Sequence, residues 1–258
     1  MNSGGGQPVP QSPLEAAPAA VRCLLDQSPL GVVEIARPPL DALPYRAFIA
    51  ALLGKQGFKL DFNRLAPNEA LALVSDKLLG PGAFMPERAA LAADIAALAA
   101  FAGELAGAPS AIAIRTYFAP GDLVWHVDRV NERTALRLLW PVGRPAGMQV
   151  TSADNVDAAL HRAYMHREHP LLSRLDTCVM RTGAAVETLW AHRPAQLAAM
   201  VSGDFPFIRD PAPIFEIAAG AASIHHVQTP EQPGTWHRSS WANRAAPGFQ
   251  IVITAAAA

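Results

Sequence analysis

The sequence predicts an α+β fold, because helix-forming and strand-forming segments occupy different parts of the chain. The first 110 residues contain long runs of strong helix formers, which predicts a mostly helical N-terminal part. From Ser110 onward, short β-rich runs are separated by Gly and Pro. A helical part followed by many short strands favours one compact domain whose sheet core is a jelly roll or double-stranded β-helix.

Three segments of the N-terminal part predict helices. The clearest is the Ala-rich run "AALAADIAALAAFAGELAGAP", which begins at Ala89 and is stopped by Gly-Ala-Pro. The segment "NEALALVSDKLL" follows Pro67, and "YRAFIAALLGK" is ended by Gly54. Residues 1–20 are rich in Gly, Pro, Gln and Ser and are predicted to form a disordered tail, which leaves 21–109 as the helical part.

The remaining residues, 110–258, are predicted to form the sheet core. The strand candidates in chain order are "AIAIRTYF", "LVWHVDRV", "TALRLLWPV", "CVMRTGAAVETLW", "IFEIAAGAASIHHVQ" and "FQIVITA". Between them, "NVDAALHRAYMHREH" is predicted to be a helix. The core is therefore expected to be mainly β-structure with one helical insertion.

Composition and charge restrict the class of protein. Lys and Arg total 21 against 22 Asp and Glu, so no basic excess indicates a nucleic acid or an anionic membrane as partner. No signal-peptide pattern and no uninterrupted run of roughly 20 apolar residues is evident, which predicts a cytoplasmic protein. Cys23 and Cys178 are too far apart for a zinc ribbon or a disulfide framework. The oligomeric state is not predicted.

The stretch "WHVDR" carries the clearest chemical signal. In a strand, His126 and Asp128 would point to the same face, with an imidazole nitrogen beside a carboxylate oxygen. Those are two ligands of the 2-His-1-carboxylate site that binds Fe(II) in oxygenases. We expect the third ligand from a later strand and favour His237, which precedes the last predicted strand. His225 and His226 in "SIHHVQ" remain competitors.

Other interpretations of these histidines stay open. His126 and Asp128 could form a surface strand pair, and His237 could lie in a loop. His166 and His169 are i,i+3 neighbours on the predicted helix that also carries His161, and such a pair can bind a metal. A solvated helix face explains this second group better.

Four ordered motifs also resemble known families. The segment "RTYFAPGDLVWHVD" followed by "TALRLLWPV" is similar to the metal-binding region of the Fe(II)/2-oxoglutarate oxygenase superfamily. More closely, roughly residues 85–254 resemble the bacterial domain-of-unknown-function family 1826, through "HVD" with "LRLL", "NVDAAL", "HRSS" and the closing "FQIVIT". The resemblance implies a double-stranded β-helix in which His126, Asp128 and His237 bind Fe(II) and leave three coordination positions for a 2-oxo acid and O2.

The resemblance also implies a basic residue that this chain lacks. The superfamily usually places Arg or Lys about ten residues after the second His, where it binds the far carboxylate of 2-oxoglutarate, but Phe249 stands there. Arg137, Arg244 or Arg115 could replace it, because bidentate carboxylate recognition needs a guanidinium. We favour Arg137, since a charge within "TALRLLW" needs a partner, although an internal Asp or Glu would serve equally well. Further candidate donors to ligands or co-substrate are Tyr117, Ser239 and Asn243.

The function predicted from the sequence is that of a non-haem Fe(II)-dependent, 2-oxoglutarate-type oxygenase. Its substrate, a small molecule or a protein side chain, is not readable from the sequence. A non-catalytic metal-binding or metal-sensing protein on the same fold is the alternative, and the missing basic residue favours it. A cupin-type enzyme that uses no 2-oxo acid is a third interpretation.

Overall fold

The computed structural model describes residues 17–55, 59–62, 65–116, 119–182, 185–244 and 248–257. It has a mixed architecture of helices and antiparallel sheets, in agreement with the predicted α+β class. The helices are α1 (Pro18–Gln27), α2 (Arg46–Leu53), α3 (Pro67–Leu79), α4 (Met85–Ala106), α5 (Ala158–Thr182), α6 (Val186–Trp190) and α7 (Pro194–Ser202). The first helix overlaps the last residues of the predicted tail, and residues 1–16 of that tail lie outside the described residues.

Helices α2, α3 and α4 confirm the three segments predicted to be helical. Helix α3 begins at Pro67, whose fixed φ and missing N–H suit the first turn of a helix. The Glu69 carboxylate accepts the N–H of Ala66 at 3.2 Å and so caps the same end. Helix α4 ends at Gly107, which has a left-handed φ of 63° that terminates the helix without a steric penalty.

A six-stranded antiparallel sheet forms the centre of the fold. Its strands, in spatial order, are β1 (Val32–Ile35), β7 (Ala222–His226), β4 (Thr134–Val142), β9 (Phe249–Ala257), β3 (Ser110–Arg115) and β2 (Lys59–Asp61). Strands β1 and β2 come from the segment predicted to be mostly helical. They are only four and three residues long, too short to show a period of two in the sequence.

One face of this sheet is apolar and packs against α4. Alternate residues of β4 and β9 face the helix, among them Leu136, Leu138, Ile251 and Ile253. By length and composition α4 could cross a membrane, although charged residues such as Asp94 and Glu104 interrupt its apolar run. In this structure its side chains at Leu91, Ile95, Leu98, Phe101 and Leu105 are buried in the sheet core, as in the core helix of a globular domain.

The other face of the sheet, here called the cavity face, carries polar side chains. A second, three-stranded sheet of β6 (Phe215–Glu216), β5 (Met148–Thr151) and β8 (Trp236–Ser239) lies opposite it. The two sheets line a cavity of about 1180 Å³. From the large sheet this cavity receives Arg137, Thr254, Gln250 and Arg115, which the strand alternation places away from the apolar core.

Helices α5, α6 and α7 form a second core, and they correct one prediction. The run "CVMRTGAAVETLW" was predicted to be β-like, which is wrong, because α5 continues to Thr182 and "VETLW" forms α6. Leu172, Leu175 and Val179 follow one another at helical spacing and pack into this second core. Val179 therefore continues the apolar face that Leu172 and Leu175 begin, and Pro170 inside α5 does not end the helix.

Candidate metal centre

Two tryptophans fix the segments that carry His126 and His237. Trp125 and Trp236 both pack into the second core, and the indole N–H of Trp125 donates to the carbonyl of Gly203 at 2.8 Å. Because neighbouring residues of extended backbone point to opposite sides, the histidines that follow face the cavity. The tryptophans thus orient the two histidines through the backbone.

His126 and His237 lie directly opposite each other. The segment around His126 was predicted to be a continuous strand, but in the described residues it forms isolated β-bridges, one from His126 to His237 of β8 and one from Arg129 to Gln228. Across this bridge each histidine N–H donates to the carbonyl of the other, at 2.9 and 3.0 Å. The ring centroids are 4.4 Å apart, so the imidazoles lie side by side at the cavity wall.

The backbone also selects the tautomer of both rings. Nδ1 of His126 lies 2.8 Å from the carbonyl oxygen of Val124, and Nδ1 of His237 lies 3.0 Å from that of Thr235. A carbonyl can only accept, so each Nδ1 carries the proton and each Nε2 keeps a lone pair. Burial holds the pKa of His237 well below its usual value, so this ring is neutral. Metal-binding histidines are usually oriented in this way.

Asp128 supplies a carboxylate beside the two rings. Its Oδ2 lies 3.5 Å from Nε2 of His237 and 3.5 Å from Nε2 of His225, and its Oδ1 lies 2.5 Å from Nη1 of Arg137. Burial alone would raise the pKa of Asp128. The hydrogen bond from His225 and the positive charge of Arg137 outweigh burial and hold this pKa well below the usual range. Asp128 is therefore an anion at neutral pH.

The structure brings the three residues predicted as metal ligands into one cluster. One ligand atom each from His126, Asp128 and His237 lies within 4.8 Å of the others. Two imidazoles and a carboxylate on one side of a cavity are the donor set of a facial metal site. Metal–ligand bonds of about 2.0–2.2 Å require only a modest side-chain movement from these positions. The donor set therefore fits a divalent metal ion.

The other candidates from the sequence have different positions. Arg137 lies on the cavity face, but its partner is Asp128, which is the internal carboxylate considered as an alternative. Arg244 pairs with Glu187 and stacks on Trp241 at 4.6 Å, and it is not among the residues that line the cavity. Arg244 therefore has no contact with the cluster.

Ser239 and Asn243 do reach the cavity. The amide nitrogen of Asn243 donates to Oγ of Ser239 at 3.2 Å and to the carbonyl of Ala146 at 3.0 Å, and both side chains line the wall near β8. Tyr117, the remaining predicted donor, lies outside the described residues.

The other histidines considered in the sequence analysis lie on β7 and on α5. His225 is fully buried and contacts Asp128, whereas His226 points to the opposite side of β7, 3.8 Å from Asp26. On α5, His166 and His169 are exposed, as a solvated face requires. His161 is buried instead, with Nε2 2.9 Å from the carbonyl oxygen of Trp125.

Two arginines, Arg115 and Arg144, line the cavity where the sequence lacks the usual basic residue, and the sequence analysis considered only Arg115. Phe249 is fully buried in the apolar core, so that position faces away from the cavity. The next residue, Gln250, faces the cavity and lies opposite Arg115 of β3 in the sheet register. Arg115 was one of the three arginines considered, and its closest carboxylate contact is Asp122 at 3.5 Å.

Arg144 was missed by the sequence analysis. It follows β4 in the loop "GRPAG", is only 6% exposed, and lines the cavity. Its guanidinium occupies the place where a side chain at Gly248 would begin, since an added Cβ would lie 1.9 Å from Nη2. Burial lowers the pKa of Arg144 to about 10, and neighbouring Arg115 acts in the same direction. An arginine between Gly and Pro after an apolar strand was the available signal.

Comparisons with known proteins assign no family. No protein-family model matches the chain. No curated protein matches it either. A solved structure, that of a dioxygenase for auxin oxidation in rice, is similar at 14% identity and a TM-score of 0.45, covering 93% of this chain and 77% of that one. The resemblance to family 1826 therefore stays a prediction.

Proposed function

We propose that the protein is a non-haem Fe(II)-dependent oxygenase that uses a 2-oxo acid as co-substrate. The observation that carries the proposal is the pair His126 and His237 beside Asp128. The Nδ1 atoms of both rings contact backbone carbonyls, which leaves both Nε2 atoms for a metal. Fe(II) at this site would supply the activation of O2 for oxidation of a substrate, coupled to decarboxylation of the 2-oxo acid. The protein residues would bind the metal, orient the 2-oxo acid and limit access of water.

The architecture supports this proposal in one further respect. Two antiparallel sheets face each other across the cavity, with His237 on the small sheet and Arg137 on the large one. We propose that they form an irregular double-stranded β-helix, in which the metal lies between the sheets. A cavity of about 1180 Å³ has room for both a co-acid and a separate substrate.

Arg115 is the residue we propose for binding the far carboxylate of 2-oxoglutarate. Its Nε is buried and has no acceptor among the described residues, so one edge of the guanidinium is available to a ligand. Gln250 beside it can add a hydrogen bond, and Arg144 adds positive charge nearby. A bidentate guanidinium–carboxylate pair suits this arrangement.

A non-catalytic metal-binding protein is the second candidate. Phe249 favours this candidate. In the superfamily that position usually carries the basic residue that binds the co-acid, whereas in this chain it faces the apolar core. Such a protein would bind metal through the same three ligands. It would have no site for a dicarboxylic acid.

The two candidates differ in their response to 2-oxoglutarate. The anaerobic Fe(II) protein should develop a weak visible charge-transfer band when 2-oxoglutarate is added, and should consume O2 in its presence. Arg115→Met should keep iron and require more 2-oxoglutarate for the same band, whereas His126→Ala should lose iron. Iron binding with no band and no 2-oxoglutarate-dependent O2 uptake would favour the second candidate or a cupin-type enzyme.

A further inference from the structure

Asp128 is held at both carboxylate oxygens by side chains from the large sheet. Nη1 of Arg137 on β4 forms a salt bridge with Oδ1, and His225 of β7 lies at hydrogen-bond distance from Oδ2. Arg137 in turn donates from Nε to Oγ1 of Thr254, on β9, at 3.0 Å. In the sheet register Arg137 lies opposite both His225 and Thr254, so the three supporting residues form one row across three strands.

The residues of this row contact the two oxygens of Asp128 differently. A carboxylate only accepts hydrogen bonds, so His225 presents a protonated Nε2, the opposite tautomer to that of His126 and His237. His225 therefore supports the carboxylate, and its Nε2 has no lone pair with which to compete for the metal. The guanidinium of Arg137 covers Oδ1 at 2.5 Å, while Oδ2 faces Nε2 of His237.

We propose that Arg137 is a positioning residue that keeps Asp128 a one-oxygen metal ligand. This inference rests on the proposed function, since it presupposes that the cluster binds a metal. A carboxylate can bind a metal through one oxygen or through both. With Oδ1 engaged by Arg137, two histidines and one oxygen leave three positions of an octahedral ion open. If Oδ1 also bound, one of those positions would be lost to the co-acid or to O2.

This role differs from direct binding of the co-acid by Arg137. A residue that binds the far carboxylate of 2-oxoglutarate affects only ligands that have such a carboxylate. A residue that keeps a coordination position open affects every ligand that enters the metal sphere, including an ion as small as azide. The two roles can therefore be separated by comparing azide with 2-oxoglutarate.

The test uses the full-length protein saturated with Co(II), whose visible absorption reports the coordination sphere. Azide and 2-oxoglutarate are titrated into wild type, Arg137→Met and Arg137→Lys. We expect Arg137→Met to change the Co(II) spectrum before any anion is added and to weaken both ligands about tenfold or more, the scale for loss of a group that orients a ligand. Arg137→Lys should restore part of the affinity, because it keeps a charged donor. Arg115→Met is the matched control and should weaken 2-oxoglutarate alone.

Thr254→Val provides a second variant that removes only the support of Arg137, with Thr254→Ser as its matched control. We expect Thr254→Val to weaken azide binding about threefold and Thr254→Ser to behave as wild type. This pair decides the question if Arg137→Met does not fold.

Unchanged azide affinity in the folded Arg137→Met protein, or in Thr254→Val, would overturn the proposal while leaving the proposed function intact. Weakening of 2-oxoglutarate alone would show that Arg137 binds the co-acid. A wild-type protein that takes up no Co(II) would overturn both.

Discussion

The backbone N–H groups of His126 and His237 each donate to the carbonyl of the other, which joins an irregular segment to strand β8 at one residue pair. One ring nitrogen of each residue also lies within 4.8 Å of a carboxylate oxygen of Asp128. A metal bound there would add a side-chain link to a junction that now depends on two backbone hydrogen bonds. Metal binding and folding stability should therefore be coupled.

Metal should raise the melting temperature of the protein. Fe(II) or Zn(II) at 100 times its Kd stabilises the folded state by about 2.7 kcal/mol. For a chain of this size, that corresponds to roughly 5–10 °C. Differential scanning fluorimetry with and without a chelator measures the shift. The same melting temperature with and without metal, in a sample that contains bound metal, would contradict this coupling.

Replacement of one metal-binding residue should abolish tight Fe(II) binding, and replacement of an exposed histidine should not. His237→Ala removes an Nε2 donor, and we expect its Fe(II) affinity to fall by more than about 100-fold, above the range for loss of outer-sphere partners. His166→Ala on the exposed side of α5 is the matched control and should bind as wild type. Anaerobic metal titration compares the two. Equal losses in both variants would point to a site on α5.

The metal-free protein should lose stability as the pH falls below about 6.5, the ordinary pKa of histidine. Burial lowers the pKa values of several histidines in the folded state, namely His161, His225, His226 and His237. Between the ordinary and the lowered values the unfolded chain binds more protons than the folded one. The free energy of unfolding then decreases by up to about 1.4 kcal/mol per pH unit for each group.

Urea unfolding at pH 7.5, 6.5 and 5.5 checks this slope. Asp128 adds nothing in this window. Its pKa is lowered on folding, so its contribution is complete above the unfolded value of about 3.9 and is lost only as the pH falls below it. A free energy of unfolding that is constant from pH 7.5 to 5.5 would show that these histidines are protonated in the folded protein.

A methyl group at Gly248 should disturb co-acid binding without affecting the metal. Gly248→Ala places Cβ 1.9 Å from Nη2 of Arg144, so the guanidinium must move away. We expect the affinity for 2-oxoglutarate to fall about tenfold, the size of an effect of roughly 1.4 kcal/mol, with unchanged Fe(II) affinity. Gly54→Ala is the control, because an added Cβ there makes only ordinary contacts, at 3.5 Å or more. A Gly248→Ala protein with wild-type affinity for 2-oxoglutarate would exclude Arg144 from the co-acid site.

The local signals in the sequence predicted the main helices and most strands. Strong helix formers with Pro67 at one start and Gly107 after one end determine α3 and α4 almost independently of tertiary structure. Strands β1 and β2 are too short to carry such a signal. They form by pairing with β7 and β3, which makes them the edge strands of the large sheet. The end of α5 was misread because the run that begins at Cys178 is too short to show a helical period, and the residues that show it, Leu172 and Leu175, precede that run.

The site was predictable to the extent that it depends on neighbours in sequence. The two-residue spacing of His126 and Asp128, and a histidine before the last strand, identified the three residues that the structure brings together. The pairing of Arg137 with Asp128 depends instead on the register of β4 against β7 and β9, which no local pattern specifies. The approach of Arg144 to Gly248 likewise depends on tertiary structure.

The central claim is that His126, Asp128 and His237 bind one metal ion. The most direct measurement is a crystal structure of the protein grown anaerobically with Fe(II), with diffraction data collected on both sides of the iron absorption edge. We expect one anomalous peak per chain, bonded to Nε2 of His126, Nε2 of His237 and Oδ2 of Asp128 at about 2.0–2.2 Å, with Oδ1 still on Arg137. A peak at any other group of side chains, or none in a protein saturated with iron, would contradict the account.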